Sequence, residues 1–135
     1  MRVGYARAGG VLGSRLGADM TRQWTLSESR LIAERVMDWQ VTEINGRLFL
    51  VDAEQRPGWL ETCAVPDWPN DPAAAAMALA AMQMDGVSTW QRWEAEKRQY
   101  CITLHHQHDA RYPVIGEASE WSQAVMLAVL AGVRG

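Results

Sequence analysis

Lysine is almost missing from this chain: Lys97 is the only one in 135 residues, and no run of basic residues stands in for it. With a net charge of −3, non-specific nucleic-acid binding is excluded, because that needs clustered Lys and Arg. No direct DNA contact is therefore expected, and the acidic residues are too scattered to imitate a polyanion. Long apolar runs are also absent. None approaches the roughly 18 residues that span a bilayer, so no membrane partner is expected. The first residues lack the apolar stretch of a secretory signal, which makes the cytoplasm the expected compartment. Cysteine is scarce. Cys63 and Cys101 are too few for a disulfide scaffold and match no zinc ribbon, so both are expected to be reduced, buried, small hydrophobes. Chemistry-bearing motifs are missing as well. Gly9-Gly10 follows no strand, and Ser88, Ser119 and Ser122 lack the glycine-flanked elbow of hydrolases. These absences assign no catalytic residue and no cofactor, and the chain is expected not to be an enzyme.

What is present is a foldable, tryptophan-rich sequence. Apolar residues make up 48% of it, enough for a real core at this length, and seven tryptophans accompany a single phenylalanine. Residues 1–19 stand apart, with five glycines, three arginines and little periodicity. They are expected to form a flexible extension before Met20, with one domain over residues 20–135.

Thr25-Leu26-Ser27-Glu28 is a capping box that starts a helix. Leu31, Ile32, Val36 and Trp39 then mark its buried stripe, and Arg30, Glu34, Arg35 and Asp38 its wet face. Asn45-Gly46 joins two β-prone runs and predicts a hairpin. Its second strand, Leu48-Phe49-Leu50-Val51, does not alternate, which predicts cover on both faces. A long connection rich in Pro and Trp follows, with a short strand expected at residues 59–63. Asn70 or Asp71 caps a second helix with Pro72 in its first turn, and Met77, Ala80, Ala81 and Met84 are expected to be its packing stripe. Strands are predicted at 87–94, 99–107 and 112–116, and a last helix at 120–133. The order is α-β-β-α-β-β-(β)-α. It predicts an α/β (α+β) three-layer α/β/α sandwich with a mainly antiparallel sheet and helices on both faces. Trp39, Trp90, Trp93 and Trp121 lie inside these elements and are expected in the core.

Three stretches carry a family resemblance. Leu31-Ile32-Ala33-Glu34-Arg35-Val36-Met37-Asp38-Trp39 resembles the "hxAExVMGW" opening of the phage ABA sandwich domain family. Asn70-Asp71-Pro72-Ala73-Ala74-Ala75 resembles the start of that family's middle helix. Gly116-Glu117-Ala118, with Gln123-Ala124-Val125 and Leu130-Ala131-Gly132-Val133, resembles its closing helix. The stretches run in order over roughly residues 27–134. Asp38 departs from the pattern, standing where the family usually has glycine. The resemblance implies an α/β/α sandwich and a phage setting, and it maps no catalytic residue onto this chain.

The three histidines crowd into Leu104-His105-His106-Gln107-His108-Asp109. Strand alternation puts His106 and His108 on one face, about 7 Å apart, as weak metal candidates that would need a third ligand such as Asp109, Cys63 or Glu117. Cys101 and His105 share a face but stand roughly 13 Å apart, too far for a catalytic dyad. Glu94 and Glu96 flank a charged hairpin turn. In the Pro-rich connection, Trp59 and Trp68 with Arg56 form the candidate binding surface for a protein or a planar ligand. The expected function is that of a phage- or prophage-encoded, non-catalytic accessory protein in the host cytoplasm. As a counter-defence inhibitor it would bind and block a host immune protein, for example a CRISPR effector. The alternatives are a binder that sequesters a small nucleotide signal and a metal-dependent enzyme. A homodimer through an exposed strand edge is the remaining partner expectation.

Overall fold

In a computed structural model of the protein, the described residues are 24–51 and 64–134. The expected extension over 1–19, the domain start at residue 20 and the short strand at 59–63 lie outside the described residues.

Helix α1 spans Leu26–Leu31 and continues as a π-helical turn over Ile32–Val36. The capping box forms as its sequence demands. The Glu28 N–H donates to Thr25 Oγ1 at 3.2 Å, and the Thr25 N–H donates to Glu28 Oε1 at 2.9 Å. The helix stops at Asp38, whose φ of 58° lies in the left-handed region, and the Trp39 N–H returns to Ala33 O at 2.9 Å. Aspartate is one of the few non-glycine residues that enters this region readily.

Strands β1 (Val41–Ile44) and β2 (Arg47–Leu50) form the expected hairpin. Asn45 and Gly46 turn it with φ values of 54° and 77°, both positive as a type I′ turn needs. Leu48 and Phe49 are neighbours on opposite faces of β2, and both are buried, so this strand is covered on both sides.

A 3-10 turn over Trp68–Asn70 leads into α2 (Pro72–Met84), capped by Asp71 Oδ1, which accepts from the N–H groups of Ala73 and Ala74. The expected stripe on α2 is corrected. Ala74, Ala75, Ala78, Leu79 and Met82 are buried, whereas Met77, Ala80 and Met84 are exposed. The helix is apolar almost all round, so no polar face in its sequence sets the phase.

Strands β3 (Ser88–Glu94), β4 (Gln99–His105) and β5 (Val114–Ala118) form an antiparallel sheet in that order, and α3 (Trp121–Arg134) closes the chain. The α+β class and the expected order of elements stand. The stacking has a different centre. Helix α3 packs on β4 and β5 with one side, and on α2, the 3-10 turn and the π-helical turn with others. No residue from Trp121 to Val133 is exposed. The layers thus run sheet, α3, then α2 with the end of α1. Among the described residues, no helix covers the far face of the three-stranded sheet.

The contact between β5 and α3 is made by backbone. A Cβ built on Gly116 would stand 2.1 Å from Ala124 O and 2.5 Å from Ala128 N. Ala124 and Ala128, one helical turn apart, keep the helix surface low at that point. Two polar ties hold α3 to the rest. The Ser122 hydroxyl donates to Pro69 O at 2.8 Å, and Arg134 meets the buried Glu28 carboxylate at 2.6 Å. Trp68, Ile32, Ile102, Leu104, Met126, Val125 and Val129 fill the core without exposure. Burial of a large apolar side chain contributes about 1.5–3 kcal/mol.

Gly116→Ala is expected to destabilise the fold by about 3 kcal/mol or more, because backbone on both sides cannot yield. Gly46→Ala has free space around it but a positive φ, and is expected to cost only about 1–2 kcal/mol. Urea denaturation of the two variants checks both the size and the order of these losses.

Candidate functional site

Of the three residues expected to form a binding surface, Arg56 and Trp59 lie outside the described residues. Trp68 is corrected. It is 0% exposed and packs against Trp39, with ring centroids 5.6 Å apart. Its place in the 3-10 turn directly before α2, under α3, makes it a core residue that anchors the end of the connection. It cannot line an open surface.

The exposed aromatic surface is elsewhere. Trp90 is 69% exposed and Trp93 is 51% exposed, which corrects their expected place in the core. In an antiparallel sheet, paired residues share a face. The register aligns Trp93, Tyr100 and Ala118 in one row facing the α3 side. Trp93 stands on the edge strand, and α3 covers β4 and β5. It meets Tyr100 edge to face at 4.9 Å and otherwise looks outward. Trp90, Thr103 and Ile115 form a row on the opposite, open face, where Ile115 is 57% exposed. Trp39 and Trp121 are partly buried against the core, and the Trp121 indole N–H donates to Gln91 Oε1 at 2.7 Å.

On the same open face, Arg92, Cys101 and Glu117 form the next row, and Glu94 stands in the row after it, opposite Gln99. The ligand-type atoms of Glu94, Cys101 and Glu117 lie within 4.8 Å of one another. Sequence reasoning missed this grouping, because it arises only from the register of three strands. The Ala95–Arg98 turn between β3 and β4 was the one available signal, since it fixes Arg92 opposite Cys101. The chemistry of the group is muted. Glu94 Oε1 accepts from Gln99 at 2.9 Å and Oε2 accepts from Arg92 at 3.0 Å. Burial pushes the Glu94 carboxyl up, but Gln99 and Arg92 outweigh it and hold the group below the usual carboxylate range. Burial, and then the Glu94 and Glu117 carboxylates, push the Cys101 thiol up. A protonated thiol is a poor nucleophile and a poor metal ligand. Cys101 is buried and free, and Cys63 lies outside the described residues.

The histidines form a loop lock. His106 Nδ1 accepts from the His108 backbone N–H at 3.0 Å, so the ring proton sits on Nε2, which donates to Asp85 O at 3.2 Å. Neither ring nitrogen keeps a lone pair for a metal in this arrangement. The rings of His106 and His108 meet at 6.3 Å, edge to face. His106 also packs on Tyr112 at 5.9 Å, and Tyr112 in turn lies over Gly132 of α3, where a Cβ would come within 2.7 Å of its hydroxyl. Arg111 grips Asp109 through side chain and backbone and holds that carboxyl at about 2. His105 points to the open face and meets Trp90 at 5.2 Å. It shares that face with Cys101, with Thr103 between them.

His106→Ala is expected to lower stability by about 1–2 kcal/mol, with the same loss in the presence of a chelator or of added zinc. A melting shift caused by zinc in the tag-free wild type would contradict the lock. Cys101 in a Cys63→Ser background is expected to alkylate slowly at neutral pH and to accelerate only above the ordinary thiol range. Rates of iodoacetamide labelling against pH check this. For Asp109 the depressed value means that its contribution is present above pH 3.8, its ordinary value, and is lost as pH falls through about 2. An NMR titration of its side chain reads that midpoint.

No helix among the described residues is long and apolar enough to cross a membrane. No protein-family model matches the chain, and no curated protein matches it. Among solved structures, the fold is similar to the crystal structure of a phage protein from Bacillus cereus ATCC 14579. The TM-score is 0.55 at 12% identity, and the match covers 87% of this chain and 99% of that one.

Proposed function

We propose that this chain is a phage- or prophage-encoded accessory protein of the ABA sandwich kind, which acts by binding a host immune protein and blocking it, without catalysis. The carrying observation is the pairing of outward-facing tryptophans with muted chemistry. Trp93 and Tyr100 present an aromatic edge at the rim of a sheet whose core is otherwise closed. Large aromatics supply contact area at small entropic cost and dominate protein interfaces. The groups that would serve catalysis are occupied: the His106 nitrogens, the Ser122 hydroxyl and the Glu94 carboxylate are hydrogen-bonded, and the Cys101 thiol is held protonated.

The phage setting draws on the fold likeness to the Bacillus cereus phage protein, together with the ordered motifs at residues 31–39, 70–75 and 116–133. The position of Asp38 supports the family reading, because the backbone there adopts the conformation that the motif's glycine would permit. The nucleotide-sequestering alternative loses Trp68 from its pocket, and Arg56 and Trp59 alone would have to carry it.

The test is affinity capture from a bacterial lysate that contains active defence systems, with the wild type and Trp93→Ala run side by side. A defence protein retained by the wild type, and reduced at least about tenfold by the variant, is the expected result. Capture of no defence protein by the wild type would overturn the reading. Thermal shift against cyclic dinucleotides is expected to show no stabilisation, and a strong shift would favour the nucleotide binder instead.

A further inference from the structure

Strand β3 is an edge strand without the usual guards. Its inner side pairs with β4 in unbroken register, and among the described residues no strand pairs with its outer side. Every second residue of an antiparallel strand turns its N–H and C=O away from the neighbour, so this edge offers a row of unmet backbone groups. Proteins blunt such edges with lysine, proline or a bulge. Residues 88–94 contain neither lysine nor proline, the register has no bulge, and Lys97 stands beyond the end of the strand. The opposite edge, β5, is shorter and follows Pro113.

Exposed apolar side chains gather on the same edge. Trp90 faces the open side of the sheet and Trp93 the α3 side. A body resting on one face would cover one of them, whereas a strand added to the edge passes beside both. Gln83 of α2 donates to Thr89 Oγ1 at 3.2 Å, so the last turn of α2, with Met84 88% exposed, stands beside the start of the strand.

We propose that β3 pairs antiparallel with β3 of a second copy, about a two-fold axis that passes through Gln91 perpendicular to the sheet. The sheet then runs continuously across both copies. In this register Gln91 faces the partner's Gln91, Trp90 the partner's Arg92, Thr89 the partner's Trp93, and Ser88 the partner's Glu94. Opposite residues of an antiparallel pair share a face and pack side by side. The partner's Trp93 settles on Thr89 beside the end of α2, where the Met84 thioether suits an aromatic ring. Trp90 lies under the partner's Arg92, a stacking contact that leaves this guanidinium bonded to the carboxylate of Glu94 in its own chain. Glu94 also turns inward to Gln99, so it brings no bare charge to the edge. A closed two-fold contact must be self-complementary. Read against its own reverse, S-T-W-Q-R-W-E sets large opposite small on one face and ring opposite cation on the other.

The tryptophans expose on the order of 500 Å² across two copies. With the backbone edges and their neighbours, the contact reaches the low end of specific interfaces, about 1,200 Å², so the dimer forms in a concentration-dependent way. It covers Trp93, so the dimer and the proposed host contact draw on one edge, and the host contact belongs to the monomer.

The experiment is sedimentation equilibrium on the full chain over a range of concentrations. The wild type is expected to move from the 15.1 kDa monomer toward twice that mass. Gln91 is exposed and is the residue that meets itself across the axis. Gln91→Glu keeps an acceptor for the Trp121 N–H but sets two carboxylates opposite each other, and is expected to weaken the dimer at least about tenfold. Gln91→Lys is expected to do the same, with circular dichroism confirming that both variants fold. An equal mixture pairs carboxylate with ammonium and is expected to restore the dimer as a heterodimer. In a Cys63→Ser background, Gln91→Cys is expected to cross-link to its copy in glutathione disulfide, which takes up the electrons and protons of the two thiols. Opposite Cα atoms of an antiparallel pair lie about 4.5–5.5 Å apart, within reach of a disulfide. Thr89→Cys, which faces Trp93 instead of itself, is expected not to cross-link. Gln91→Glu leaves Trp93 in place, so host capture by this variant is expected to persist, and failure of the dimer is read apart from failure of the host contact. The proposal is overturned by a wild type that stays monomeric to about millimolar concentration, beyond the range of specific complexes. It is equally overturned by a dimer indifferent to Gln91→Glu and Gln91→Lys, by a mixture that stays monomeric, or by Thr89→Cys cross-linking as readily as Gln91→Cys.

Discussion

Everything in this fold is arranged around a helix that touches protein on all sides. An α-helix with one apolar stripe can rest on a sheet at the surface, whereas one that is apolar all round must be enclosed. Helix α3 is of the second kind, and no position from Trp121 to Val133 is exposed. Its enclosure depends on how closely β5 can approach. Gly116 meets Ala124 and Ala128 with no side chain between the backbones, and that contact sets the distance between sheet and helix. The remaining elements then close the other sides. Helix α2 presents alanines, the π-helical turn presents Ile32 and Ala33, and Trp68 fills the space at the N-terminal end beside the Ser122–Pro69 bond. The Glu28–Arg134 pair ties the first described helix to the last turn of α3 across 106 residues of sequence.

Parts of this design were legible because local chemistry decides them. The capping box at Thr25 and Glu28, the Asn45-Gly46 turn and the Asp71-Pro72 start of α2 are each fixed by a few neighbouring residues, and each stands where expected. The cover on both faces of β2 was also readable from its unbroken apolar run. What was not legible was which face of an element would be covered. Helix α2 is alanine and methionine nearly throughout, so its sequence permits several packing phases. Strand β3 alternates Trp90 and Trp93 with polar residues in a way that satisfies either a buried or an open face. Only the reach of α3, which stops short of β3, leaves Trp93 exposed, and Trp90 stays exposed because no described helix covers the far face of the sheet.

The candidate sites divide along the same line. Alternation placed Cys101 and His105 on one face and the rise of the strand set them apart, and both stand on that face with Thr103 between them. His106 and His108 do share a corner, but their bonds could not be read from spacing, because the Asp85 carbonyl and the His108 N–H arrive from the ends of other segments. The Glu94, Cys101 and Glu117 group needed the register of three strands. Trp68 shows the opposite error. A tryptophan between prolines looks like a loop residue offered to a partner, yet the prolines shape a short turn that drives the indole inward.

The division of labour between the two sides of the sheet follows from where the packing constraints fall. On the α3 side, a substitution at Gly116 or Ile102 meets the helix directly, so the centre of this side is bound to the core and only its uncovered rim at Trp93 and Tyr100 is free to carry recognition. On the far side, the same strands alternate outward, and Trp90 and Arg92 touch only other side chains of the sheet, His105 and Glu94, rather than a covering helix. Cys101 is the exception. It is buried beneath its neighbours in the row, so the open face has a fixed floor under its variable ends. A surface with a rigid floor and freely chosen ends loses little conformational entropy when a partner settles on it, since β4 is already fixed by hydrogen bonds on both sides. The cost of ordering falls mainly on the long side chains at the edges, Trp90 and Arg92. His105 already meets the ring of the first, and Glu94 already bonds the second.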